Sequence, residues 1–200
     1  GSGKSALLAK CYQELLALTA RKKTERELII SPHFIGISAG SSDLHLTLER
    51  ICKKLMRSMD LNDFLPVGLY KLINKFWELL DKISEKKHVV LIIDAINQFA
   101  PENSPHLLKW LPDKIPPNVR IILSTMVRRL GDAINFNESP ELNHLRARGN
   151  QYLEISLPTL DKDDCLSVVN AYLSKYHKRL SDVQIDALLS KSGAVLPLYL

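Results

Sequence analysis

The stretch His88-Val89-Val90-Leu91-Ile92-Ile93-Asp94 constrains the fold of this 200-residue chain more than any other. Val89 to Ile93 are apolar without a break, whereas a strand with one wet face would alternate apolar and polar residues. Both faces must therefore be covered, which calls for a parallel sheet between layers of helix. The run ends on a single carboxylate, Asp94. Residues 118–125, NVRIILST, repeat the pattern: Val119, Ile121, Ile122 and Leu123 are apolar, and the run closes on Ser124 and Thr125. Residues 151–157, QYLEISL, read as a third, more amphipathic strand.

Helical spacing fills the intervals. Leu7, Leu8, Cys11, Leu15 and Leu18 mark one face of a first helix that follows Lys4. Leu44, Leu48, Ile51, Cys52, Leu55 and Met59 mark a second, with Ser41 or Ser42 available as its cap. A third is expected from about Leu69 to Ile83. Between the first two lies LIISPHFIGIS, where Phe34, Ile35 and Ile37 predict a short buried strand following Pro32. Helices alternating with buried strands predict a doubly wound α/β sheet. From Asp161 onward only helices are expected. Asp161 with Asp164, and Ser181 with Gln184, resemble capping boxes, and Gly193 suits the end of the last helix. The domain boundary is placed near Pro158, giving a sheet domain over 1–157 and the start of a helical domain over 158–200.

Composition narrows the class. At 46% hydrophobic residues the chain has enough apolar material for one domain and a small second one. The net charge is +5, but its basic residues lie in short scattered runs without interleaved aromatics, so solvated surface is expected rather than a nucleic-acid platform. No apolar run approaches the ~20 residues of a membrane helix, and no secretory signal opens the sequence, so a soluble, cytoplasmic protein is expected. Cys11, Cys52 and Cys165 each fall on an apolar helical stripe and read as buried hydrophobes in a reducing compartment. The histidines show no spacing suited to zinc.

The chain opens Gly1-Ser2-Gly3-Lys4-Ser5-Ala6. Gly3-Lys4-Ser5 matches the closing half of the phosphate-binding pattern G-x-x-x-x-G-K-[ST], in which backbone N–H groups wrap the phosphates. Lys4 would meet the β- and γ-phosphates, Ser5 would hold magnesium, and the helix dipole would face the anion. The plainer reading is a cloning remnant before a helix. Asp94, at the carboxyl end of a buried strand about ninety residues on, stands where a second magnesium contact is needed; the plainer reading there is a polar strand terminator. The order helix, strand, helix, apolar strand favours the phosphate site. The first strand and first glycine of the loop are then expected upstream of Gly1, so the chain reads as an excerpt cut inside the loop.

Taken in order, GSGKSALLA, HFIGIS with SSDL, VVLIIDAINQF, NVRIILST and the segment from YLEISL to GAVLPLYL resemble a signal-transducing STAND NTPase of the NACHT kind. The nearest likeness is to nephrocystin-3-like and telomerase-associated-protein-like members, which carry TPR or WD40 repeats. The resemblance implies an AAA-like P-loop fold with a parallel sheet flanked by helices, plus a small all-helical domain. It implies ATP, or GTP, with Mg2+ as ligands. Gly1, Ser2, Gly3, Lys4, Ser5 and Ala6 would form the phosphate loop, with Ser5 and Asp94 on the metal. Ser124 and Thr125 would sit near the γ-phosphate, and Pro197 would pack on the base, although a proline opening a helix is the alternative.

Two departures weaken the hydrolytic machinery. The family commonly follows its metal-binding aspartate with an acidic pair, and here Asn97 and Gln98 stand in those places. An amide cannot accept the attacking water's proton, yet a glutamine can orient water, so Gln98, Asn97 and Thr125 are the catalytic candidates. Met126 stands where many members place an arginine, and Arg128 and Arg129 are spaced wrongly to replace it.

The expected function is a nucleotide-controlled signalling or assembly switch with slow hydrolysis. The alternative is a protein-interaction scaffold that uses the fold without turnover; a small-molecule kinase or motor is disfavoured because no lid motif appears. Protein partners through repeats outside the chain, and nucleotide-dependent self-association, are expected. With the leading strand absent, the strand ending at Thr125 and QYLEISL are expected to leave a gap or to have collapsed together.

Overall fold

Three parallel strands, β1 (Leu28–Phe34), β2 (His88–Asp94) and β3 (Val119–Leu123), lie in the order β1-β2-β3 in a computed structural model of the chain. The structure describes residues 3–21, 26–100, 108–126, 140–149, 152–191 and 193–197. The uninterrupted run β2 takes the central place, where a strand has neighbours on both edges and cover on both faces. Phe34 pairs with Asp94 and Ile93 with Leu123, so the carboxyl ends of all three strands come out together.

Alternation along the strands divides the apolar residues between two cores. Val89, Leu91 and Ile93 of β2, with Ile29 and Val119, face helices α2 (Leu44–Ser58) and α3 (Leu69–Ser84). That core contributes Leu48, Leu55, Leu72, Phe76, Leu79 and Leu80, all fully buried. Each such side chain gains about 1.5–3 kcal/mol by leaving water. On the other face, Ile30 and Ile92 meet Leu8, Tyr12 and Leu15 of helix α1 (Lys4–Arg21). Helices thus cover both faces of the sheet.

Several local expectations are corrected. The strand expected after Pro32 begins earlier, at Leu28, and contains Pro32, while Ile37 is 74% exposed beyond its end. Proline cannot donate to a sheet ladder, and β1 tolerates it because it lies at an edge of the sheet. Helix α2 is capped by Asp43, whose carboxylate accepts from Leu46 N at 2.8 Å, and not by Ser41 or Ser42. Ser41 is committed to the preceding loop instead. Cys52 and Cys165 are buried, but Cys11 is only half-buried.

The expected strand over QYLEISL is not formed. Residues 153–160 carry no regular structure, and Leu153 and Ile155 are 84% and 75% exposed. A strand is stable only when its backbone groups pair with a neighbour, and no described strand pairs with this segment. The expected gap or collapse beside it therefore has no counterpart, because only one of the two strands is formed among the described residues. Helix α4 (Pro140–Ala147) was not anticipated. It is followed by Arg148, whose guanidinium donates to the carbonyls of Leu108, Leu111 and Pro112 at 3.1–3.2 Å.

The chain divides into two compact units, Leu8–Leu153, which holds the sheet, and Gly1–Leu7 with Glu154–Leu200. In the second unit, Asp161 caps α5 (Lys162–Ser174) by accepting from Asp164 N at 2.7 Å. Ser181 and Gln184 form the full reciprocal box that opens α6 (Asp182–Leu189). Ser190, not Gly193, caps its end, and Gly193 accepts from Leu196 N in the turn beyond.

Candidate functional site

Parallel strands aligned at their carboxyl ends present the groups that follow them at one rim of the sheet, where ligands of open α/β sheets bind. Asp94 ends β2 there and is 3% exposed. Ser124, one residue past the end of β3, is buried beside it and donates its hydroxyl proton to Asp94 Oδ1. Ser124 Oγ in turn accepts from Ala95 N at 2.8 Å. Ser124 N donates to Ile93 O at 3.1 Å and Ser124 O accepts from Ile96 N at 2.9 Å. The serine thereby stitches the end of β3 to both sides of the carboxylate.

Ala95 adopts a left-handed backbone (φ 60°, ψ 50°). For a residue with a Cβ this costs about 1–2 kcal/mol, and such strain persists only where neighbours impose it. Here it turns the chain from β2 directly into a single 3-10 turn, Ile96–Gln98. Ile96 and Phe99 anchor the turn in the core, leaving Gln98 between them exposed. Asn97 points inward, and its Oδ1 is buried without a hydrogen-bond partner among the described residues. Thr125 is half-buried and Met126 is 47% exposed. Arg128 and Arg129 lie outside the described residues.

The loop after β1 completes this rim. Ile35 N donates to Asp94 O at 3.2 Å. Ser41 Oγ then gathers the loop: it accepts from Gly36 N at 2.9 Å and Ser38 N at 3.2 Å, and donates to Ser38 O at 2.6 Å. His33 Nε2 lies 3.1 Å from Ser41 O and 2.9 Å from Thr47 Oγ1. Burial favours the neutral ring and lowers the His33 pKa, opposed by the bond to Ser41 and assisted by Arg50. Finally, Gln98 lies so close to Gly36 that a Cβ there would meet Oε1 at 2.3 Å. Gly36 and His33 were not singled out from the sequence, and Ser41 only as a possible helix cap; the hint was the run of small residues in GISAGSS.

The other unit holds the remaining candidates. Gly3 has φ +81°, and its carbonyl accepts from Leu7 N at 2.9 Å to start α1, so Lys4, Ser5 and Ala6 form the helix's first turn. A Cβ at Gly3 would lie 3.4 Å from Pro197 Cγ, which places Pro197 beside the loop end as a near neighbour. Gly1 and Ser2 lie outside the described residues. The rim residues Asp94, Asn97, Gln98, Ser124 and Thr125 belong to the sheet unit, and Gly3, Lys4, Ser5, Ala6 and Pro197 to the other.

Among the described residues no three or more His, Cys, Asp or Glu groups gather as a metal cage. A cation at Asp94 would draw its other ligands from water, hydroxyls or a bound anion, as magnesium commonly does. Among the same residues no helix is long and apolar enough to cross a membrane.

No family model matches the chain. It is 27% identical over 201 residues to NACHT and WD repeat domain-containing protein 2 of Homo sapiens, covering 99% of this chain and 11% of that protein. It is 31% identical over 187 residues to nephrocystin-3 of Mus musculus, covering 92% of the chain and 12% of the relative. A TPR repeat-containing protein of Dictyostelium discoideum is 24% identical over the whole chain, which spans 13% of its length. The chain thus spans about a tenth of the length of the relatives it matches, two of which are named for different repeats, WD and TPR. By these matches it belongs to the family of NACHT- and repeat-containing proteins.

Proposed function

We propose that the chain is the nucleotide-binding part of a regulatory NTPase of the STAND class, acting as a nucleotide-dependent switch in a larger cytoplasmic protein. The observation that carries this reading is Asp94, buried at the carboxyl end of the central strand and tied to Ser124 at the end of the next. A carboxylate so placed suits a magnesium–phosphate ligand and has no part in the apolar core. The donor set fits the same group: Ser5 and Asp94 offer the hard oxygens that magnesium takes, and Lys4 offers a cation for phosphate. Gly3, at φ +81°, supports it too, since a glycine before the first turn keeps the helix's free N–H groups approachable.

A bound magnesium nucleotide would supply the energy difference between two states, through contacts that change when the γ-phosphate is lost. Lys4 would hold the outer phosphates, Ser5 and Asp94 the metal, Ser124 the orientation of the carboxylate, and Pro197 the base. Asn97 and Gln98 cannot act as carboxylate bases, so hydrolysis would be slow, with Gln98 orienting the water and Thr125 near the γ-phosphate. Repeat domains named in the relatives support protein partners for the complete molecule, and self-association governed by the nucleotide is part of the proposal.

In the full-length protein, Lys4→Ala should weaken ATP binding at least about tenfold, a loss of about 1.4 kcal/mol; equal affinity would reject the site. A second reading, an interaction scaffold without turnover, is favoured by the amides at Asn97 and Gln98. Single-turnover hydrolysis abolished by Asp94→Asn supports the switch, and hydrolysis no faster than background supports the scaffold.

A further inference from the structure

We propose that Gly36 is a positioning residue whose missing side chain seats the Gln98 amide at the rim beside Asp94. The backbone on both sides of this contact is held in place. Ile35 N is bonded to Asp94 O, Gly36 N to Ser41 Oγ, and Ala100 N to Ser42 O at 2.9 Å. Ile96 and Phe99 fix the turn that bears Gln98. With the backbone pinned, the side chain of Gln98 is the movable part, and it occupies the volume in which any other residue at 36 would place its Cβ, 2.3 Å from Oε1. Gly36 has φ +85°, so glycine also meets the backbone requirement of the loop.

The inference rests on the hydrolytic reading above. There the water oxygen bonds to the γ-phosphorus while the bond to the β–γ bridging oxygen breaks. The electron pair leaves on the nucleoside diphosphate, and the water's proton ends on the released phosphate. An amide takes no proton in this step, so Gln98 contributes only by where its oxygen and N–H2 group stand. Displacement by about 1 Å would then cost up to about a hundredfold in rate.

The test uses the full-length protein with Gly36→Ala, Gln98→Ala and the double variant. Gly36→Ala should bind ATP within about twofold of wild type while single-turnover hydrolysis falls about ten- to a hundredfold. Gly36→Ala in the Gln98→Ala background should have no further effect on the rate. A crystal structure of the nucleotide-free Gly36→Ala protein should show the Gln98 amide moved off residue 36. Three results overturn the proposal alone: wild-type hydrolysis in Gly36→Ala, rate losses that simply add in the double variant, or Gln98 unmoved in the crystal. Absence of hydrolysis by the wild-type protein overturns it together with the hydrolytic reading, and the wild-type control distinguishes that case.

Discussion

The hydroxyl of Ser124 donates to Oδ1 of Asp94 and accepts from the N–H of Ala95, so one side chain at the end of β3 satisfies both the carboxylate that ends β2 and the strained residue after it. The pair links two strands whose sequences lie thirty residues apart. Ser124→Ala would remove a charge-assisted hydrogen bond and leave Ala95 N without this acceptor. The expected loss is about 1.5–3 kcal/mol of stability, read as a lower urea midpoint with unchanged slope.

Asp94→Asn separates site from scaffold. Asparagine keeps the size and still accepts from Ser124, so the unfolding midpoint should move by less than about 1 kcal/mol. The charge a metal needs is gone, and ATP affinity with magnesium should fall at least about tenfold while affinity in chelator changes little. Equal losses with and without magnesium would remove Asp94 from the metal.

His33 makes stability depend on pH. Its folded pKa lies below the ordinary 6.5, chiefly because burial disfavours the charged ring. The unfolded chain therefore binds more protons in the window between the two values. This contribution is fully present above about pH 6.5 and is lost as pH falls through the folded value. Wild-type stability should decline from pH 7.5 toward 5, and His33→Gln should flatten part of that decline. Parallel curves for the two proteins would show that His33 does not contribute.

Cysteine reactivity should follow burial. Desolvation pushes the Cys52 thiol up to about 12, and Cys165 is buried with its Sγ 3.3 Å from Ala194 O. Only the thiolate reacts rapidly, so maleimide at pH 7.5 should label Cys11 first and leave the other two until the protein unfolds. Rapid labelling of Cys52 in the native protein would contradict its place on the buried face of α2.

Periodicity carried the layers. The unbroken run from Val89 to Ile93 demanded cover on both faces, and α1 on one side with α2 and α3 on the other provide it. Both signals are local, because strand and helix periods are written in residues two, three and four apart. Asp94 and Ser124 were legible as strand ends for the same reason. Pro32 misled because its cost depends on whether its strand has one neighbour or two, which no stretch of β1 encodes. Ser41 looked like a helix cap beside Asp43, and the choice was made by His33 and Gly36, which the loop returns to it.

What the sequence determined by itself was most of the inventory: helices α1, α2, α3, α5 and α6, the buried strands β2 and β3, and the polar groups that end them. Tertiary structure alone decided the pairings. QYLEISL alternates like a strand yet forms none, since a strand exists only through a partner's hydrogen bonds. The seat of Gln98 on Gly36 joins residues sixty-two positions apart across the rim of a parallel sheet, and only the folded register brings such groups within reach of one another.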